Sequence, residues 1–500
     1  MGSIQWLLEG FIQLFTFNNL LYLLIGSIIG VVAGVLPGIG STSGMAIVLP
    51  LTYGMDPTSS LIMLAGIYYG NMYGGAIPTI LVNIPGGASS AMTALDGYQM
   101  TRQGEAGRAL GMSNFASFVG GMVSTLLLIF SGIGLAKLAI NFTPVEYFSL
   151  TVLGLTLVSG ITEKSALKGY LMMLFGLFLG TVGVDLVSGQ QRFVFNNANL
   201  LDGIKVIPVI VGLFGFSEIL FNIESTYKEN FKLIKTKVSF RSLFPSLADW
   251  KDSKVPIIRG TIIGFFVGIL PGAGATIATV LSYGVEKKAS KHPEKFGKGA
   301  IEGVASVEAA NNASVGGALV PMLALGIPGS ASTAILLSAL VMFGLRPGPQ
   351  LFSNSPDVVW TFIASMFIGN VITLAIMIFC IPLCIKIMQM SEKVMLPSVA
   401  ILCIIGAYCL NNNLFDVGMM MAFGFLGYFF KKLGYSSIPL ILGLILGPLA
   451  ETSIRQSLII SGFEWSIFFT RPISCSLLVI SLAVVVYPLI KPYLRVRKTN

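Results

Sequence analysis

Histidine occurs once in the 500 residues, as His292 in a lysine-rich loop. A zinc hydrolase or a histidine-based acid–base catalyst needs converging imidazoles, so neither can be assembled from this chain. Charge is scarce as well. Asp, Glu, Lys and Arg make up 11% of the residues, against about 25% in soluble domains. The five cysteines (Cys380, Cys384, Cys403, Cys409, Cys475) all fall in apolar stretches of the C-terminal half and read as packing residues rather than disulfides or metal ligands. Phosphate and acyl chemistry lack their motifs. Phe296-Gly297-Lys298-Gly299 has neither the spacing nor the hydroxyl of a phosphate loop, and Gly40-Ser41-Thr42-Ser43-Gly44 puts threonine in the serine slot of a nucleophile elbow. Without a paired-Asp or Ser-Lys constellation either, an intramembrane enzyme is disfavoured.

Apolar residues, by contrast, make up 54% of the chain, and mean hydropathy is +0.84. Apolar runs such as Leu20–Leu36, Val119–Ile140, Leu167–Val184 and Phe362–Ile387 approach the ~20 residues that cross hydrocarbon as a helix. About 10–12 candidate spans recur along the chain. The fold class expected is therefore an all-α integral membrane protein. Ile4–Phe17, with Trp6 and Glu9, reads as an uncleaved interfacial helix leading into the first span. The net charge of +9 does not point to nucleic acid, because the basic residues stand in short loops between apolar runs, the positive-inside pattern.

One duplication organises the sequence. IIGVVAGVLPGIGST (28–42) matches IIGFFVGILPGAGAT (262–276) at nine of fifteen positions without a gap. Further on, GGAIPTILVNIPGGASSA (74–91) faces GGALVPMLALGIPGSASTA (316–334), with one residue inserted to bring the Ile-Pro-Gly triplets together. Two matches in the same order mark a repeat. The expected organisation is a first repeat over 1–223, a basic linker over 224–256 and a second repeat over 257–500. By the positive-inside rule the linker and the C-terminal tail are expected in the cytoplasm. The loop Glu286–Lys298 is strongly basic, whereas its counterpart Tyr53–Ser60 has no Lys or Arg. That asymmetry predicts inverted-topology repeats with re-entrant hairpins.

Proline and glycine interrupt the apolar helices at Pro37-Gly38, Pro85-Gly86, Pro271-Gly272 and Pro328-Gly329. Proline removes a backbone donor and glycine admits φ > 0, so the chain unwinds there. Lipid cannot satisfy the freed groups, so the breaks must be buried in protein or line a cavity. Small hydroxyl residues follow each break, as helix caps would. Half-helix N-termini at the midplane would aim N–H groups and positive dipole ends at one centre, which is an anion site. The plainer reading is helix packing, since Gly30, Gly34 and Gly38, like Gly264, Gly268 and Gly272, recur every fourth residue. Symmetric placement in two repeats favours the site. Its expected lining is Pro37, Gly38, Gly40, Ser41, Thr42, Ser89, Ser90, Gly272, Gly274, Thr276, Ser330, Ser332 and Thr333. No Lys or Arg occurs in 1–101 or 301–345, so helix ends, hydroxyls and amides would do the binding, and a co-bound cation would offset residual repulsion. Asn71, Asn83, Glu308, Asn311 and Asn312 are its candidate ligands. Glu308 reads equally well as an intramembrane acid or as an interfacial loop-end carboxylate beside Glu302. Asp56 before proline and Asp96 before glycine read as turn residues.

At GVLPGIG (34–40), AGIYYGNMYGGAIPTILVNIPGGASSAMTALDG (65–97), GILPGAGATIATVLSY (268–283), FGKGAIEGVASVEAANNASVGGALVPMLALGIPG (296–329) and GLRPGP (344–349), the chain resembles the large membrane subunit of the tripartite tricarboxylate transporter family. The resemblance implies a secondary active permease of the bacterial inner membrane with no cofactor. It would import citrate-like di- or tricarboxylates by symport with sodium or protons. Implied partners are a small four-helix membrane subunit and a periplasmic solute-binding protein, and a homodimer is possible. A gradient-independent ion or anion channel is the alternative reading.

Overall fold

The computed structural model describes residues 3–36, 39–139, 142–161, 166–185, 189–225, 239–271, 274–388 and 392–496. The first half runs α1 (Ser3–Leu14), α2 (Phe17–Val35), α3 (Ser41–Val48), α4 (Pro57–Gly74), α5 (Ala76–Val82), the 3₁₀ turn Ala88–Thr93, α6 (Ala94–Arg102), α7 (Ala106–Ala139), α8 (Pro144–Ile161) and α9 (Ala166–Gly180). A two-residue hairpin follows, β1 (Gly183–Val184) antiparallel to β2 (Gln191–Arg192), with Gly183 opposite Arg192. Then α10 (Val206–Ile210) passes through a π turn into α11 (Ser217–Ser225).

The second half runs α12 (Leu247–Ile269), α13 (Gly274–Ala289), α14 (Ile301–Leu325), α15 (Ala331–Met342), α16 (Leu351–Asn354) and α17 (Pro356–Phe379). It ends with α18 (Ile381–Met388), α19 (Glu392–Cys409), α20 (Leu414–Lys432), α21 (Ile438–Ile460), α22 (Ile467–Thr470) and α23 (Pro472–Val496).

Among the described residues, six helices are long and apolar enough to cross a bilayer and six shorter apolar helices accompany them. The outward surface carries Phe130, Leu174, Phe266, Phe379 and Ile401 exposed, as a lipid-facing surface would. This is an all-α, multi-pass membrane protein. Three boundaries differ from expectation. Phe362–Ile387 is two helices, because α17 stops at Phe379 and α18 starts at Ile381. The N-terminal helix is shorter than expected: α1 ends at Leu14, and Gly10 lies against the backbone of Trp360 in α17. The last part of the polar linker is helical, since Ser246 and Asp249 form a reciprocal capping box that starts α12, with Pro256 inside it. The linker's Lys228, Lys232, Lys235 and Lys237 lie outside the described residues.

The duplication is visible in the packing. In α2, a Cβ on Gly26, Gly30 or Gly34 would strike the carbonyls of Met63, Ile67 and Asn71 in α4, and in α12 Gly260, Gly264 and Gly268 stand the same way to Ser306, Ala310 and Ser314 in α14. Backbone meets backbone in both pairs, the close approach that only glycine allows. One constant offset relates the two sets of carbonyls. Carried onward, it pairs Pro78 with Pro321, Asn83 with Gly326 and Gly86 with Gly329, so the inserted residue in the second sequence match is unnecessary. The backbone agrees: Asn83 (φ 61°) and Gly326 (φ 68°) both end their helices in the left-handed region. Asn is one of the few side chains that tolerate it.

Candidate functional site: a ring of helix interruptions

The four interruptions meet pairwise in a ring. Gly86 packs against the Gly34 carbonyl, so the second break abuts the end of α2 just before the first. Gly329 packs against the Gly268 carbonyl, so the fourth abuts the end of α12 just before the third. Across the halves, α15 packs on α3 while α13 packs on the Ala88–Thr93 turn. The relation is reciprocal, as a pseudo-two-fold requires. Breaks dispersed along the lipid face would not give this arrangement.

At the first junction, Ser41 Oγ and Ser332 Oγ stand 2.8 Å apart and Thr42 Oγ1 lies 3.3 Å from the same serine. Ser41 and Ser332 are buried and Thr42 half-buried. Ser330 caps α15: its Oγ accepts from Thr333 N at 3.3 Å while Ser330 N donates to Thr333 Oγ1 at 2.8 Å. Tyr68 Oη, 3.2 Å from Ser330 Oγ, joins the cluster from α4. Nothing in the sequence distinguished Tyr68 from other aromatic packing residues.

The second junction repeats the capping device with Ser90 in the place of Thr333. Gly87 N donates to Ser90 Oγ at 3.3 Å and Ser90 Oγ donates to the Gly87 carbonyl at 2.9 Å. Ser89 is half-buried with only the Met72 sulfur at 3.9 Å, and Thr276 is exposed in the first turn of α13. Gly40 and Gly274 border open space, and Gly274 (φ 58°) needs its glycine. Pro37, Gly38 and Gly272 lie outside the described residues.

Beside the second junction lies Glu308, against Thr93 of the Ala88–Thr93 turn. It is in the body of α14 and wholly buried, not at a loop end. Thr93 Oγ1 donates to its Oε1 at 2.5 Å and Ser117 Oγ to its Oε2 at 3.3 Å. Among the described residues it has no ion-pair partner. One turn on, Asn311 Nδ2 donates to the Met72 carbonyl at 3.4 Å, and its Oδ1 is buried without a donor. The candidate cation ligands thus divide. Glu308 and Asn311 come together, joined by Thr93 and Ser117, which the sequence did not single out. Asn312 Nδ2 bonds back to the Glu308 carbonyl and Asn71 Nδ2 to the Ile39 carbonyl. Asn83 is exposed at its turn, apart from the rest.

Asp96 is not a turn residue. It lies in the first turn of α6, 1% exposed, and its Oδ1 accepts from Gly297 N, Gly299 N and Ala300 N at 2.8, 2.9 and 2.9 Å. Tyr283 Oη donates to its Oδ2 at 2.9 Å. The sequence hid this because the partners are backbone amides two hundred residues away. Asp56 does behave locally, capping α4 through Ser59 N at 3.0 Å.

A model described as the Tripartite tricarboxylate transporter TctA family matches residues 20–442, a span that contains all four interruptions. The chain belongs to that family. Membership makes it a membrane component of a tricarboxylate transporter. The TctA-family chain is 42% identical over 490 residues to an uncharacterized 52.8 kDa protein in the TAR-I ttuC' 3' region of Agrobacterium vitis, covering 98% of this chain and 97% of that one. A protein in the TAR-II ttuC' 3' region of the same organism is 40% identical over 227 residues, 45% of this chain and 94% of its own. A Methanocaldococcus jannaschii protein, MJ1079, is 26% identical over 274 residues, 53% of this chain and 61% of its own. No solved structure matches.

Proposed function

We propose that this TctA-family chain is the permease of a secondary active carboxylate importer in the bacterial inner membrane, with its linker and C-terminus in the cytoplasm. A periplasmic binding protein delivers a citrate-like di- or tricarboxylate, and a small four-helix subunit completes the membrane unit. The carrying observation is the meeting of Ser41, Thr42 and Ser332, hydroxyls from the two repeats, at the starts of two broken helices. Hydroxyls and helix N-termini stabilise an anion without a fixed positive charge. Each helix end contributes about 0.3–2 kcal/mol, which keeps binding reversible. The reciprocal junctions support an inverted repeat, in which opening one junction while the other is closed would alternate access.

Coupling to sodium or protons is centred in this reading on Glu308 and Asn311. A carboxylate buried in a membrane interior without a cationic partner is costly and marks an ion path. Asn311 Oδ1 offers a second oxygen that lacks a donor. The test is uptake of a radiolabelled carboxylate panel by proteoliposomes holding the chain with its partner subunit and binding protein, under imposed sodium or pH gradients. Saturable, gradient-driven uptake is expected, with Glu308→Gln abolishing the gradient's effect. Flux that ignores both gradients would replace the transporter by a channel.

A further inference from the structure

The ring of interruptions is fastened differently at its two ends, and the fastening lies outside the hydroxyl cluster. Asp96 grips the loop that leads into α14 through the amides of Gly297, Gly299 and Ala300, and grips α13 through the Tyr283 hydroxyl. Gly297 (φ 82°) and Gly299 (φ 106°) turn those N–H groups inward, forming the concave amide nest that suits an anion. Gln103, at the end of α6, holds the same loop by donating to the Lys298 carbonyl at 2.8 Å. Around the carboxylate, Tyr283, Phe296, Ala300 and Val307 form a small apolar cluster with Met92 against it. The clamp therefore joins three elements: the turn and helix that carry Ser90 and Thr93, the helix that carries Thr276, and the basic loop Lys291–Lys298. Hydrogen bonds to a charged acceptor are about twice as strong as neutral ones, and four converge here.

The other end lacks this device. The offset that aligns the repeats places Ala339 where Asp96 stands, and Gly54 (φ 84°) where Gly297 stands. Asp56, on the loop equivalent to the nest, spends its carboxylate on its own helix start.

We propose that Asp96 is the latch that keeps the molecule shut on the side onto which Lys291–Lys298 opens, and that opening this side requires the amide nest to release it. The inference rests on the transport reading. Asp96 acts here as a positioning residue; it need not touch substrate. In the shut state it holds the Ala88–Thr93 turn against α13, and once freed the two separate and expose the second junction.

The test uses the full chain with its five native cysteines replaced and Met92→Cys as reporter, labelled by a membrane-impermeant maleimide in sealed vesicles of both orientations. Asp96→Ala is expected to raise the labelling rate about tenfold from the basic-loop side only, a shift toward the open population. Tyr283→Phe, which deletes one of the four bonds, should raise it by a smaller factor, and Asp96→Glu should stay nearest to the parent. Should Asp96→Ala fail to accumulate, Tyr283→Phe carries the same comparison. Labelling that is unchanged in Tyr283→Phe and Asp96→Ala, or that rises equally from both sides, overturns the latch. Labelling needs no substrate, so absent uptake by the parent chain would count against the transport reading alone.

Discussion

In the first half, glycines of α2 lie on carbonyls of α4; in the second, glycines at the equivalent places of α12 lie on carbonyls of α14. The polar side chains follow that symmetry only in part: Thr42 matches Thr276, Ser89 matches Ser332 and Ser90 matches Thr333, whereas the other chemical groups have no counterpart. Glu308 corresponds to Ala65, Asn311 to Tyr68, Ser41 to Ala275 and Asp96 to Ala339. Duplication preserved the backbone contacts, where any added atom collides, and left the polar positions free to diverge. The second half now supplies the buried acid and Ser332, and the first supplies Ser41 and Thr42 at the first junction and the carboxylate of the latch.

That contrast is open to direct attack, starting where the effect should be largest. Gly30→Leu and Gly264→Leu should be about equally damaging. A Cβ at either would come within 2.3 Å of a backbone carbonyl, and overpacking of this kind costs about 1–3 kcal/mol or more. Thermal unfolding in detergent should show a drop of similar size for both, and a large difference would mean the halves are not equivalent scaffolds. Glu308→Gln, which keeps the shape, should leave unfolding nearly unchanged yet remove gradient dependence from uptake. Placing a carboxylate at the matching Ala65 should not restore it, because Tyr68 stands where Asn311 would be needed.

Ser332→Ala should weaken carboxylate uptake more than Ser89→Ala. Ser332 bonds two hydroxyls across the halves, whereas its equivalent Ser89 faces only a thioether. A lost hydrogen bond is worth about 0.5–1.5 kcal/mol, read as a several-fold rise in KM for Ser332→Ala, with little change for Ser89→Ala. The smallest effect belongs to the turns. Asn83→Gly should be neutral or better, while Asn83→Ala and Gly326→Ala should each cost about 1 kcal/mol in a left-handed position, measured again by unfolding.

The helical membrane architecture, the duplication and the four interruptions were legible because each leaves a local signature: apolar runs, a repeated pattern, Pro beside Gly. Ser41, Ser332 and Glu308 could be singled out because polar groups are rare in such runs. What stayed hidden is non-local. Asp96 beside a glycine has the local look of a turn, and no side-chain motif announces backbone amides as partners. Thr93, Ser117 and Tyr68 matter only because helices from other parts of the chain deliver Glu308 and Ser330 to them. The register of the second repeat match was hidden too, because adjacent glycines allow two pairings and only the contacts place Gly74, not Gly75, opposite Gly317.

The glycine seams also constrain how the protein can move. Where two helices touch through their main chains at three successive turns, sliding one past the other would drive carbonyls into neighbouring Cα atoms. α2 with α4, and α12 with α14, should therefore travel as stiff levers. Compliance is then expected where the levers' ends meet through side chains, at the Ser41–Ser332 junction and at Asp96, bonds that water can replace one at a time.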